Sequence, residues 1–184
     1  TRHANIFAVM YDIATPEQTQ SILNNVLKNE SIEKITTPYF KGYELDVLAK
    51  LREFDALEDM LESYWGGIIN LGAKTIWEEY CPEMSGTKHY AMYDGKYEKS
   101  LCHAWGAGPI YLFGRYYLGV EATSAAYKTF RVEPKLNGLK ALSGTAPICG
   151  GQVDVTLDEN SLTVTATRLG GTLIWNGKQY LLEP

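Results

Sequence analysis

Gln152-Val153-Asp154-Val155-Thr156-Leu157, followed by Asp158-Glu159-Asn160-Ser161 and then Leu162-Thr163-Val164-Thr165-Ala166, is the stretch that decides how this chain divides. Successive side chains of a strand point to opposite faces, so Val153, Val155 and Leu157 share one face and leave Gln152, Asp154 and Thr156 on the other. Leu162, Val164 and Ala166 repeat the alternation with threonines between them. The polar insert has turn chemistry, and the two runs read as a hairpin. Outward from it, Phe130-Arg131-Val132, Gly171 to Trp175 and Gln179 to Leu182 are predicted strands, with Asn176-Gly177 as a tight turn between the last two.

Upstream of about residue 120 the period changes. Leu57, Met60, Leu61, Tyr64 and Trp65 fall on one helical stripe, with Asp55, Glu58, Asp59 and Glu62 opposite. Thr15-Pro16 and Thr37-Pro38 are helix-opening pairs, since proline at the first helical position has no N–H to satisfy. Ile22, Leu23, Val26 and Leu27 continue one of these helices, and Leu45, Leu48 and Leu51 the other. Further helices are expected over Ala4 to Asp12 and Ser100 to Leu118. Helices followed by strands imply two layer systems in series: a helical domain over 1–120 and a small antiparallel β-sandwich over 121–184.

The 184 residues suffice for one domain or two small ones. A net charge of −5 disfavours nucleic acid or an anionic membrane surface as partner. The longest uncharged run, Ser100 to Gly114, is too short to span a bilayer. Cys81, Cys102 and Cys149 have no CxxC spacing and read as free thiols, although a Cys81–Cys102 bridge is conceivable. His89 and His103 lack a second ligand at helical spacing, so neither a metal nor another cofactor is expected. The chain opens Thr-Arg-His, without Met or signal peptide, and reads as an excised or processed segment.

The residues that attract chemical interest lie between Trp65 and Trp105. After Thr75-Ile76-Trp77-Glu78-Glu79-Tyr80 comes a long polar, Gly- and Tyr-rich loop, closed by His103-Ala104-Trp105. Loops of that length inside a compact domain are often functional. A carboxylate can activate water, an imidazole can hold hydroxyls, and indole faces can stack on sugars. Each residue also has a plainer reading. Glu78 and Glu79 suit solvated surface charges, His103 a satisfied, partly buried histidine, and Trp77 and Trp105 core packing. Glu83, Asp94 and Glu98 are weaker candidates.

The order of the pieces adds to this. Thr37-Pro38-Tyr39-Phe40, Trp65-Gly66-Gly67, Gly72-Ala73-Lys74-Thr75-Ile76-Trp77-Glu78 and Ser100-Leu101-Cys102-His103-Ala104-Trp105-Gly106 together resemble the final part of family 78 glycoside hydrolases, the α-L-rhamnosidases. Tyr127 to Pro134 resembles the start of that family's C-terminal sandwich. The resemblance implies the last α-hairpins of an (α/α)6 toroid followed by the sandwich. It implies Glu78 as general base of an inverting glycosidase, His103 as a substrate contact, and Trp77 and Trp105 as subsite walls. It further implies a rhamnose-containing glycan as substrate and the N-terminal remainder of the toroid as partner. The general acid would lie in that remainder, so this chain alone would be inactive, and export is expected of an enzyme acting on polysaccharide. Lys74 and the Cys102-His103-Ala104-Trp105 run depart from the family pattern, which bears on the sugar accepted. The competing readings are a toroidal glycosidase of other specificity and a non-catalytic carbohydrate-binding or interaction module.

Overall fold

Thr15 opens the second helix with a reciprocal cap. Its hydroxyl accepts the Gln18 N–H at 3.3 Å, and the Gln18 side-chain oxygen accepts the Thr15 N–H at 2.9 Å. Two orphan donors of the first turn are thereby satisfied. In the computed structural model, which describes residues 1–184, this helix is α2 (Pro16–Ile22) and runs on through one wide π turn, Leu23–Leu27. It follows α1 (Arg2–Met10) and precedes α3 (Pro38–Lys50), α4 (Phe54–Leu61) and α5 (Gly67–Asn70), the last two joined by a second π turn, Glu62–Gly66.

Ile6 and Val9 from α1, Leu45 and Leu48 from α3 and Leu57 from α4 are buried. Leu57 and Tyr64 lie at the base of the predicted stripe, with its other members half-buried. A polar staple adds to the apolar contacts. Arg2 donates to the carbonyls of Leu27, Asn29, Ile32 and Glu33 and to the Glu44 carboxylate, 2.8 Å away, so one guanidinium ties α1 to the 27–33 segment and to α3.

The chain divides into two compact units, Thr1–Pro109 and Ile110–Pro184. The change of period near residue 120 marks the first strand, whereas the second unit already begins at Ile110. Tyr117 accepts the Lys135 N–H, Tyr116 accepts the Asn137 amide, and Leu118 joins the core of the strands. The helix expected over Ser100 to Leu118 is shorter at its start. Residues 100–103 are not helical, Ala104–Gly106 makes one 3-10 turn, and regular helix begins only with α6 (Gly108–Leu112), which continues as a π turn, Phe113–Tyr117. Pro109 falls in the first turn of α6, where its missing N–H costs nothing.

In the second unit the quoted hairpin forms in the expected register. β4 (Gly151–Asp158) pairs with β5 (Leu162–Ala166), Leu157 opposite Leu162. β3 (Ala141–Ile148) completes a three-stranded antiparallel sheet on the outer side of β4. β3 is not among the expected strands, although Leu142, Ala146 and Ile148 alternate with Ser143, Thr145 and Pro147 and face the core; an edge position tolerates a proline that cannot donate. The other sheet has the order β1-β2-β6-β7, from β1 (Val120–Ala122), β2 (Phe130–Val132), β6 (Gly171–Trp175) and β7 (Lys178–Leu182). It is mixed, because β2 and β6 run parallel, and in this the strands differ from the wholly antiparallel arrangement expected. The whole β3–β5 meander lies between those two strands, a connection long enough to return the chain in the same direction. Val120, Phe130 and Val132 are buried in one cluster with Ala146, Ile148, Val153, Val155 and Ala166, so both sheets contribute to a single core. No helix is long and apolar enough to cross a membrane.

Candidate active site

Two separated motifs of the first unit are laid side by side by backbone hydrogen bonds. The Glu78 N–H donates to the Ser100 carbonyl at 2.9 Å, the His103 N–H donates to the Ile76 carbonyl at 2.8 Å, and the Thr75 hydroxyl donates to the Leu101 carbonyl. The long loop between them is thus pinned at both ends, which brings the candidate carboxylate and the candidate histidine to one place. Gly106 is required by the same packing. A Cβ there would stand 2.1 Å from the Ile76 Cγ2 atom, and the Gly106 carbonyl accepts the Trp65 indole N–H at 2.9 Å. Gly67 has a parallel reason, since the Tyr80 ring lies where its Cβ would be.

Glu78 is 7% exposed. One carboxylate oxygen accepts the Ser100 N–H at 3.0 Å and the other accepts the Tyr93 hydroxyl at 3.2 Å. Each oxygen has one protein donor and two lone pairs, so acceptor capacity is left for a water. Tyr93 reaches the carboxylate from a two-residue turn, Met92 to Gly95, in which Tyr93 and Asp94 both have left-handed backbone angles, φ 50° and 70°. Left-handed residues other than glycine are strained, and strain of this kind persists where surrounding contacts hold it. The carboxylate beside the phenol raises the Tyr93 pKa, because a phenolate there would lose its hydrogen bond and meet a like charge.

Trp105 is 38% exposed, and its indole N–H donates to the Glu78 carbonyl at 3.2 Å. Its ring lies 4.2 Å from the His103 imidazole and 5.7 Å from the Tyr39 ring, nearly parallel to the latter at 24°. His103 is half-buried. Trp77 differs from its expected role as a wall: it is 3% exposed, packed with Tyr64, Ile68 and Tyr80 and edge-on to Tyr90. A ring so enclosed has no face to offer a ligand.

The neighbouring acid is held otherwise. Glu79 accepts the Thr36 hydroxyl at 2.7 Å and pairs at 3.3 Å with Lys99, whose side chain is wholly buried. The two adjacent glutamates therefore occupy different environments, one hydrogen-bonded only by neutral donors and one neutralised by a lysine. Glu83 accepts from the Cys81 thiol, and Asp94 is exposed. Cys81, Cys102 and Cys149 are free, and no three His, Cys, Asp or Glu side chains are grouped to hold a metal ion. The sequence reading missed Tyr93, Ser100 as a backbone donor, Lys99 and Tyr39. Of these, only the Asp94-Gly95 pair beside Tyr93 carries a local turn signal.

No protein-family model matches the sequence, and no curated protein matches it. Solved structures do share its fold. The GH78 family rhamnosidase of Bacillus sp. GL1 superposes with a TM-score of 0.79 at 21% identity, over 94% of this chain and 19% of that chain. The α-L-rhamnosidase of Dictyoglumus thermophilum gives 0.71 at 17% identity, over 94% and 20%. The native α-L-rhamnosidase of Aspergillus terreus gives 0.74 at 16% identity, over 99% and 24%. The chain thus spans about a fifth of the length of the structures it matches. Both the motif order and the three-dimensional likeness lead to one conclusion: the chain has the fold of part of the family 78 α-L-rhamnosidases.

Proposed function

We propose that this chain is the base-bearing end of an inverting glycoside hydrolase of the α-L-rhamnosidase kind, with Glu78 as general base and His103 and Trp105 as substrate contacts. The observation that carries the reading is the setting of Glu78: a nearly enclosed carboxylate, with no cation paired to it, fixed by Ser100 and Tyr93 beside an imidazole and a half-exposed indole. In an inverting mechanism one carboxylate deprotonates a water while a second carboxyl group, on the other side of the sugar, protonates the glycosidic oxygen. A fixed carboxylate with a free lone pair on each oxygen suits the first role. Solvent stays sparse around it, so the water it holds is oriented by few competitors.

The second carboxyl group belongs to the remainder of an (α/α)6 toroid whose last hairpins this helical unit supplies, and the chain alone is inactive. Rhamnose-terminated glycans are the substrates that the likeness to α-L-rhamnosidases favours. The test is Glu78→Gln in the whole enzyme, assayed on an aryl α-L-rhamnoside. Gln keeps one oxygen to accept the Ser100 N–H and can turn its NH2 toward the Tyr93 hydroxyl oxygen, but it cannot take a proton, so kcat falls at least a hundredfold. Wild-type turnover by that variant would exclude Glu78 as the base. A panel of other aryl glycosides separates rhamnose from a different sugar.

A further inference from the structure

Tyr93 occupies a backbone conformation that suits it poorly. A two-residue turn with left-handed angles at both central positions normally carries Asn-Gly or Asp-Gly. Here Tyr93 and Asp94 fill it, at φ 50° and 70°, and a bulky side chain in that region is a steric outlier. Packing does not offset the cost, since Tyr93 is 72% exposed. What the side chain gains is the hydrogen bond from its hydroxyl to one Glu78 carboxylate oxygen, at 3.2 Å. An unfavourable conformation kept alongside one polar contact points to a function of that contact.

The turn is the tip of a folded-back segment whose base serves the same carboxylate. Met92 and Gly95 exchange both backbone hydrogen bonds, at 3.1 and 2.9 Å, and the Lys99 N–H returns to the Tyr90 carbonyl at 3.1 Å. Gly95 lets the Glu98 side chain lie across the tip, because a Cβ there would stand 2.1 Å from the Glu98 Cδ atom. The base is anchored by the enclosed Lys99 ammonium against Glu79, and the next residue, Ser100, donates its N–H to the second Glu78 oxygen at 3.0 Å. Tip and base of one segment thus hold the two oxygens of one carboxylate. A carboxylate held at a single oxygen can pivot about that bond, whereas one held at both has its plane, and so its remaining lone pairs, fixed in direction. Building on the reading of Glu78 as base, we infer that Tyr93 is a positioning residue, whose hydroxyl locks the plane of the Glu78 carboxylate so that the free lone pairs meet the attacking water in one orientation. Proton transfer to a general base depends on that alignment. Tyr93 acts through Glu78 and is assigned no contact with the sugar, so its effect falls on kcat and not on substrate binding.

The experiment measures kcat and KM of the whole enzyme on an aryl α-L-rhamnoside. Tyr93→Phe keeps the ring and removes the donor, so kcat falls about tenfold while KM stays within about twofold of the wild type. Tyr97→Phe, at another exposed tyrosine of the same segment, removes a hydroxyl that is not bonded to Glu78 and leaves both constants unchanged. Because Tyr93 works through Glu78, adding Tyr93→Phe to Glu78→Gln costs no further activity. Wild-type kcat in Tyr93→Phe overturns the proposal. So does a rise in KM alone, which would make the phenol a substrate contact, and so does a further loss of about tenfold in the double variant. Glu78→Gln by itself tells which idea has failed: turnover surviving in it removes the base assignment, whereas loss of turnover with no Tyr93 effect removes the positioning role alone.

Discussion

Two glutamates that are neighbours in sequence have separate fates, and the difference lies in their partners. Glu78 receives neutral donors from Ser100 and Tyr93, whereas Glu79 faces the buried Lys99 ammonium and the Thr36 hydroxyl. Removing the charge of Glu79 leaves Lys99 enclosed without a counter-ion. Glu79→Gln should therefore destabilise the fold by about 2–3 kcal/mol, the cost of an uncompensated buried polar group, measured by urea unfolding. Glu78→Gln, by contrast, leaves no buried charge unpaired, since its oxygen can accept the Ser100 N–H and its NH2 can donate to the Tyr93 hydroxyl, and it should shift the urea midpoint little while abolishing turnover. Equal stability losses in both variants would show that the two environments are not distinct. The sequence could rank these acids only by their place after Trp77. It could not show that Lys99, far along the loop, selects the second of them.

At the scale of elements, the helical unit depends on a polar staple as well as on its apolar stripes. Arg2 bonds four carbonyls of the 27–33 segment together with Glu44, and Lys41 lies 3.6 Å from the second Glu44 oxygen. Burial lowers the Lys41 pKa, with the nearby Glu44 charge opposing that shift. Arg2→Met replaces the guanidinium by an apolar chain and strands a buried carboxylate, so a loss of about 3–5 kcal/mol is expected. Adding Glu44→Leu together with Lys41→Met, so that neither a buried carboxylate nor a buried ammonium is left unpaired, should recover part of that loss. A combined variant no more stable than Arg2→Met alone would mean that the carbonyl bonds of Arg2, and not its charge pair, hold α1. Caps and stripes were legible here: Thr15-Pro16, Thr37-Pro38 and the Leu57 stripe act within a few residues of themselves. The staple was not, because its partners lie some 25 to 42 positions from Arg2.

For the molecule as a whole, alkaline pH is the revealing variable. The Tyr64 phenol is buried, donates to the Thr36 carbonyl and accepts the Tyr80 N–H at 3.0 Å; desolvation raises its pKa far beyond the ordinary tyrosine value of 10.0. A raised folded-state value means that its stabilisation is complete below about pH 10 and is lost as the unfolded chain's phenol ionises above it. Lys41 acts in the opposite sense, since its penalty is present at neutral pH and is relieved as pH rises toward 10.5. The Tyr64 shift is the larger, so the first unit should unfold above about pH 10. Absorbance at 295 nm and far-UV circular dichroism would then show the last tyrosine ionising together with loss of helix. Ionisation of every tyrosine with the helical signal intact would refute this.

The sequence by itself determined the order of helices then strands, the β4–β5 and β6–β7 hairpins and most helix starts, and it singled out Glu78 and His103 as candidates, because each rests on a short-range period, a turn or a contiguous motif. The tertiary structure alone decided that Ser100–His103 is hydrogen-bonded along Thr75–Glu78, that Trp77 is core, that β2 and β6 run parallel, and that Tyr93 and Lys99 meet the two acids. Those facts depend on backbone and side-chain groups distant in sequence meeting one another's unsatisfied hydrogen bonds and faces. No local period records such meetings.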